Sequence, residues 1–293
     1  MSLVTTIGAM AAPLSLKTAI GTYPHTRPLK DGTIISPRLC LDHVEVSPAN
    51  RAFRPMVNQL AYDVSELALV TLILARALDK QLVGVPVVLM QQSAYGMFAV
   101  PNDSPLRDPR QLGGCTIGVR AYTQTTGVWL RGMLHDQFGL DLDSLGWVTF
   151  EPAHVDGFVD PPNARQAPDG ANLVDMLRRG HIDAAAGIDL ARYPDLRTLI
   201  PDAEQVEADW IRHTGIRPIN HTLVVRGDVA CAHPWVRDEL FRLVQAAKSA
   251  ADTAAPVDGL EANRGPLTLL ARYTFEQHIT PRTLTAEELF PAT

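Results

Sequence analysis

The chain has 293 residues, long enough for two α/β units with substantial cores, and its 46% hydrophobic and 20% charged content describes a globular protein, not a disordered or fibrous one. A net charge of −6, with no cluster of Lys and Arg, excludes a nucleic-acid footprint. No apolar run reaches the ~18 residues a spanning helix needs. The three cysteines, Cys40, Cys115 and Cys231, are odd in number and far apart, the usage of a reduced compartment, and none is assigned a catalytic or metal role. Residues 1 to 16 contain no Lys or Arg, and Thr5, Thr6, Gly8 and Pro13 interrupt their apolar residues. The expectation is therefore a cytoplasmic protein without a secretory signal.

In chain order, Leu14 to Ile20 reads as a first strand and runs into the loop GTYPHTRPLKDG at residues 21 to 32. Pro24 and Pro28 restrict that loop, which carries Tyr23, His25, Thr26, Arg27, Lys30 and Asp31. Asp42 to Val46 is expected as a strand, Ala52 to Leu60 as a short helix and Tyr62 to Glu66 as a strand end. Leu67 to Lys80 is apolar on nearly every side until its last turn, which predicts a buried helix. Asp63, Ser65 and Glu66 precede it and read first as caps. Leu82 to Leu89 and Gly96 to Val100 are further strands.

From Pro101 the pattern restarts. DPRQLGGCTIGV, residues 108 to 119, reads as a short helix, a Gly-Gly break and a strand over Cys115 to Val119. Tyr122, Thr123, Gln124, Thr125 and Thr126 follow, just before a helix whose apolar positions Val128, Leu130, Met133 and Leu134 recur at helical spacing. Such a strand-to-helix turn can present free N–H groups to an anion, and in open α/β sheets it is where ligands bind. Trp147 to Phe150 is a strand. The polar stretch at residues 151 to 170 has four prolines and offers Glu151, His154 and Asp160 as candidates. Asn172 to Arg179 is a helix stopped by Gly180, and Ile182 to Ile188 a strand with Asp189, Arg192 and Tyr193 just beyond it. Residues 208 to 217 lead into PINHTLVVR, where Thr222 to Val225 is a strand. His233 to Ser249 and Leu267 to Phe275 are helices, the first with Pro234 in its opening turn.

The motifs YPHTRPLKDG, YDVSE, RAYTQTTGVWLRGML and GIRPINHTLVV together resemble the 4,5-dihydroxyphthalate decarboxylase family, over roughly residues 14 to 250. The resemblance implies a two-lobed α/β structure of the type 2 periplasmic-binding-protein kind with two crossover strands. Lobe 1 would comprise residues 1–98 and 219–293, lobe 2 residues 99–218, with the ligand between them. Its implied activity is decarboxylation of a hydroxylated, phthalate-like aromatic carboxylate. The alternative is a non-catalytic solute-binding protein, of the transporter-receptor or thiamine-pyrimidine-synthase kind, for a small anionic or aromatic metabolite. The family carries Arg and His on the strand leading to the first crossover, where this chain has Gln91, Gln92, Ser93, Ala94 and Tyr95.

Decarboxylation of an aromatic acid needs a positioned proton donor, for which histidine suits neutral pH. His25 and His221 are assigned that catalytic role, with loss of either expected to abolish turnover. Arg27, Arg120 and Arg217 are the candidates for gripping a carboxylate, while Arg131, one turn into its helix, reads as structural. Substrate contacts are assigned to Tyr23, Thr26, Arg27, Ser65, Gln92, Tyr122, Thr123, Thr125, Thr126, Asp189, Arg217 and Asn220. No cofactor is expected. His25, His154 and His221 with Glu151 or Asp160 lack ligand spacing along one helix, so no metal is assigned. The partner is a small aromatic or anionic carboxylate, with no membrane span, and assembly into a homo-oligomer stays open.

Overall fold

A computed structural model describes residues 12–292. The reading of the first sixteen residues as unlike a secretory signal falls mostly on residues 1–11, outside the described ones. The elements in chain order are β1 (Leu14–Ala19), α1 (Arg27–Lys30), β2 (Leu39–His43), α2 (Phe53–Gln59), β3 (Val64–Ala68), α3 (Leu69–Ala77), β4 (Leu82–Met90), β5 (Phe98–Pro101), β6 (Thr116–Val119), α4 (Thr125–Phe138) and β7 (Gly146–Thr149). There follow β8 (Ala164–Gln166), α5 (Leu173–Arg178), β9 (Ala184–Ala186), β10 (Leu196–Thr198), α6 (Ala203–Thr214), β11 (His221–Arg226), α7 (Gly227–Ala232), α8 (Trp235–Ala250), α9 (Leu260–Glu276) and α10 (Ala286–Leu289).

Two sheets organise the chain. The first has strand order β2-β1-β3-β11-β4 and the second β10-β5-β9-β6-β7-β8. The chain leaves the first sheet after β4, builds the whole of the second, and returns in β11, which lies antiparallel between β3 and β4. In the second sheet β5 is likewise antiparallel to β9, while β6 is parallel to both β7 and β9. The two antiparallel insertions, β5 and β11, are the strands that follow the two crossings.

The strongly patterned segments fold as their residues dictate. α3 is buried from Leu69 to Ala75, as an all-round apolar helix must be. α4 takes in Thr125 and Thr126 of the polar turn as its first residues and is closed by Gly139, whose φ of 64° is the left-handed conformation that ends helices. Asn172 caps α5 by accepting hydrogen bonds from the Val174 and Asp175 N–H groups.

Other segments depart from expectation. β2 runs from Leu39 to His43 rather than Asp42 to Val46, because its parallel register with β1 pairs Leu14 with Leu39 and Thr18 with His43. α6 and the short strands β8 and β10 are additions, the strands lying at the two edges of the second sheet, where few partners shape the sequence. α9 starts at Leu260 instead of Leu267 and passes through the buried Pro266, which forfeits only the bond to the Ala262 carbonyl near the helix start. All three cysteines are unpaired, with Cys40 and Cys231 exposed and Cys115 half-buried.

One core cluster runs across both sheets, taking in Leu67 and Val224 from the first and Ile117, Trp147 and Ala184 from the second. α9 helps join them. Its Tyr273 ring occupies the space over Gly132 of α4, where any Cβ would come within 2.2 Å of the ring. Just past α9, Gln277 accepts from Nε of Arg131 (2.6 Å) and donates to the Val128 carbonyl (3.0 Å). Arg131, fully buried, also donates to the Tyr122 carbonyl (2.6 Å) and lies over the Tyr122 and Trp147 rings. It is thus structural, as the sequence suggested.

Candidate active site

The carboxyl ends of β1, β3, β4 and β6 converge on a cavity of about 580 Å³ lined from both sheets, the place where open α/β sheets hold ligands. On one side stand the loop after β1, the start of α3 and the first residue of β11. On the other are Arg120, the turn opening α4, and His154.

Behind the cavity wall, in contact with its residues Gly21, Tyr23 and His221, lies Glu66. The antiparallel register of β3 and β11 pairs Leu223 with Glu66, so His221, two residues along, is the diagonal neighbour on the same face. His221 Nδ1 lies 2.5 Å from Glu66 Oε1, and the Tyr23 hydroxyl donates to the same oxygen at 2.7 Å. The Gly21 N–H donates to Oε2, also at 2.7 Å. Glu66 is 0% exposed, and a buried carboxylate without partners costs several kcal/mol. Burial works to raise its pKa. The hydrogen bond and charge of His221, followed by Tyr23 and Gly21, outweigh that and hold the carboxyl below the ordinary glutamate range. With Glu66 ionised and able only to accept, Nδ1 of His221 carries a proton, and Nε2 has no protein partner among the described residues. Burial, then the nearby Glu66 charge, raises the Tyr23 phenol, so it remains a neutral donor.

The loop after β1 is shaped for this contact. The Tyr23 ring folds back over Gly21 so closely that a Cβ there would meet it at 2.7 Å. Thr26, wholly buried, donates to the Gly21 carbonyl (2.7 Å) and accepts from the Tyr23 N–H (2.8 Å). Lys30 Nζ donates to the Ile20 carbonyl and the Thr22 hydroxyl and pairs with Glu45 at 2.7 Å, tying the two loops that border the cavity.

Across the cavity, α4 opens without a side-chain cap of its own. Its first N–H groups are the orphan donors of any helix start, and Thr125 and Thr126 line the cavity there. The Thr125 hydroxyl accepts from the Val70 N–H of α3 (3.2 Å), and Thr126 accepts from Asn220 Nδ2 (3.0 Å). Asn220 in turn accepts from the Gln92 N–H (2.7 Å), so both crossings are bonded to the start of α4. Arg120 at the rim pairs with Glu151 at 3.1 Å. His154 Nδ1 is 3.1 Å from the Thr71 hydroxyl. Burial first, and then the charges of Arg120 and Arg54, push its pKa down to about 4.

Of the residues singled out in the sequence, Tyr23, Gln92, Thr123, Thr125, Thr126, Asn220 and His221 come together on this cavity. His25 does not line it. The ring stacks on Tyr23 at 5.4 Å and lies 3.1 Å from the Leu89 carbonyl through Nε2, and burial, then Lys248, lowers its pKa. Thr26 stands behind the loop, Ser65 is sealed in the sheet donating to the Glu66 carbonyl, and Tyr122 is buried beneath Arg131. Arg27 is exposed on α1. Asp189, also exposed, caps a 3₁₀ turn by accepting from the Ala191 N–H. Arg217 borders a separate cavity of about 320 Å³ beside Glu207.

The reading of Glu66 as a cap does not hold, since α3 has no side-chain cap and Glu66 instead meets His221, Tyr23 and Gly21. A signal was present: an acidic residue inside the run VSELALVTLILA must be buried and therefore partnered. Nothing in the sequence marked Phe53 or Thr71.

The chain matches no protein-family model. The 4,5-dihydroxyphthalate decarboxylase of Comamonas testosteroni is 28% identical over 263 residues, covering 82% of this chain and 76% of that protein. The protein of the same name from Pseudomonas putida is 28% identical over 216 residues, 68% of this chain and 82% of that one. Among solved structures, the alkanesulfonate-binding protein SsuA from Xanthomonas axonopodis pv. citri bound to MOPS superposes with a TM-score of 0.60 at 15% identity, over 97% of this chain and 100% of that one. That likeness shows the fold, the type 2 periplasmic-binding-protein plan with its two crossings. No helix among the described residues is long and apolar enough to cross a membrane.

Proposed function

We propose that this relative of the 4,5-dihydroxyphthalate decarboxylases removes CO2 from a hydroxylated aromatic carboxylate held in the cavity between its two sheets. The observation that carries the reading is the Glu66–His221 pair, an ionised carboxylate orienting a histidine whose other nitrogen is free at the cavity wall. The two sheets act as lobes, the second built between the two crossings and the first completed by the return in β11, and the substrate bridges them.

The carboxylate lies against the uncapped start of α4, with the Thr123, Thr125 and Thr126 hydroxyls and Arg120 around it. His221, charged and held by Glu66, gives its Nε2 proton to the ring carbon that bears the leaving group. The bond to the carboxylate carbon then breaks, CO2 departs, and the bond's electron pair restores the aromatic ring. Glu66 stabilises the charged imidazole before transfer, and Tyr23 with the Gly21 N–H keeps the carboxylate ionised. Water reprotonates His221. One proton is consumed per turnover. The three unpaired thiols fit work in the reducing cytoplasm.

Incubation with 4-hydroxy- and 4,5-dihydroxyphthalate, following CO2 release and the ring product by chromatography, tests the reading. Turnover by the wild type that falls at least ~10²-fold in His221→Ala is the expected result. Tight binding of these acids with no CO2 release from any of them would instead make the protein a receptor.

A further inference from the structure

The mechanism above uses one of the two histidines on the cavity and leaves the other idle. His154 belongs to the proline-rich stretch between β7 and β8, which forms no helix or strand, yet it is firmly placed. α2 grips the segment with four hydrogen bonds. Arg54 donates to the Ala153 carbonyl (3.2 Å) and to Asp156 (2.6 Å), while Asn58 donates to the His154 carbonyl (2.8 Å) and accepts from the Asp156 N–H (3.0 Å). These bonds cross from the first sheet's helices to the second sheet's loop.

The imidazole so placed lines the cavity. Thr71 meets its Nδ1, and Nε2 has no protein partner among the described residues. Its ring stands edge-on to Phe53 at 5.6 Å and 85°, and His221 stands edge-on to the same Phe53 at 5.1 Å and 89°. Two histidines from different sheets therefore flank one aromatic wall. One is held by a carboxylate, the other by a hydroxyl among cationic neighbours, and environments that differ in this way divide acid from base.

We infer that His154 receives the ring hydroxyl of the substrate, the hydroxyl para to the departing carboxylate, while His221 serves the carbon that loses it. This rests on the decarboxylase reading. With the Nδ1 proton assigned to the contact with Thr71, Nε2 is a proton acceptor. Protonation of the ring carbon by His221 makes the para hydroxyl strongly acidic, and its proton passes to His154, leaving a ring ketone. The carbon–carboxylate bond then breaks, its electron pair moves into the ring, CO2 leaves, and the oxygen takes its proton back from His154. His154 is unchanged at the end, and the one proton consumed enters through His221. A weak base is sufficient, since the hydroxyl of a ring protonated on carbon is a far stronger acid than imidazolium.

The test pairs binding with turnover, using phthalate, 4-hydroxyphthalate and 4,5-dihydroxyphthalate as probes. By calorimetry the wild type is expected to prefer the hydroxylated acids over phthalate by about tenfold. His154→Ala should lose that preference while binding phthalate within about twofold of wild type, and its turnover should drop by ~10²-fold or more. His154→Gln and Thr71→Val, checked by circular dichroism, serve if the alanine variant does not fold. If the wild type releases no CO2 yet the hydroxyl preference vanishes in the variant, the decarboxylase reading fails and the hydroxyl site stands. A variant that keeps both the preference and turnover within about threefold of wild type overturns the assignment of His154.

Discussion

Nδ1 of His221 lies 2.5 Å from Oε1 of Glu66, across 155 residues of sequence. The contact joins the first strand reached after the return crossing to a strand laid down before either crossing. Glu66→Gln keeps the shape of the side chain and removes its charge, so His221 loses the anion that stabilises its cation, and an amide, which donates as well as accepts, no longer fixes the proton on Nδ1. Turnover is expected to fall ~10²-fold or more with circular dichroism unchanged, and KM should move by less than about threefold, because the start of α4, proposed to hold the carboxylate, is untouched.

Gly21→Ala tests the loop that supports Glu66. A Cβ there meets the Tyr23 ring at 2.7 Å, so the phenol must leave its place and its bond to Glu66. Activity should fall more than in Tyr23→Phe, which loses the hydroxyl but keeps the packing. Equal activities in the two variants would show that the hydroxyl, and not the loop's shape, is what matters.

His25 and His221 are expected to separate. His25→Phe keeps a ring stacked on Tyr23 and removes only the contact to the Leu89 carbonyl, so turnover should stay within about fivefold of wild type, whereas His221→Ala should lose ~10²-fold or more. A His25→Phe variant as damaged as His221→Ala would bring His25 back into the chemistry.

Acid should weaken the fold in two stages. His154 ordinarily titrates near 6.5 and in the folded chain near 4, so between those values the unfolded chain binds a proton that the folded one refuses. Stability present above pH 6.5 is therefore lost as pH falls toward 4, by at most roughly 1.4 kcal/mol per unit. Glu66, held below its ordinary 4.5, adds stability above that value that is lost at lower pH still. Denaturant titrations from pH 7 to 4 should show a shallower slope in His154→Gln than in wild type, and identical slopes would remove His154 as the cause.

Gln277→Ala leaves the Arg131 Nε, inside a fully buried guanidinium, without its acceptor and the Val128 carbonyl without the donor it has beyond its own helix. Loss of about 3 kcal/mol is expected, read as a lower midpoint in urea. Because Arg131 also holds the Tyr122 carbonyl just before the cavity turn, substrate affinity should weaken with it.

Much of this protein was legible in its residues. The apolar run that becomes α3, the periodicity of α4 and the strand before it, and the polar turn between them follow from local rules of spacing and capping, and the structure places that turn on the cavity. The motifs likewise pointed to the two-crossing plan, since side-chain patterns at strand ends are local too. What local rules cannot reach is which strand end faces which. Only the antiparallel insertion of β11 between β3 and β4 sets Leu223 opposite Glu66, and with it His221 on the same face; a one-residue slip would have turned His221 away. The same holds for His25, which shares a loop with Tyr23 yet points to the Leu89 carbonyl, and for His154, brought to the cavity by Arg54 and Asn58 roughly a hundred residues earlier. Sequence determines each element's own face, whereas the meeting of faces is decided by burial summed over the whole chain.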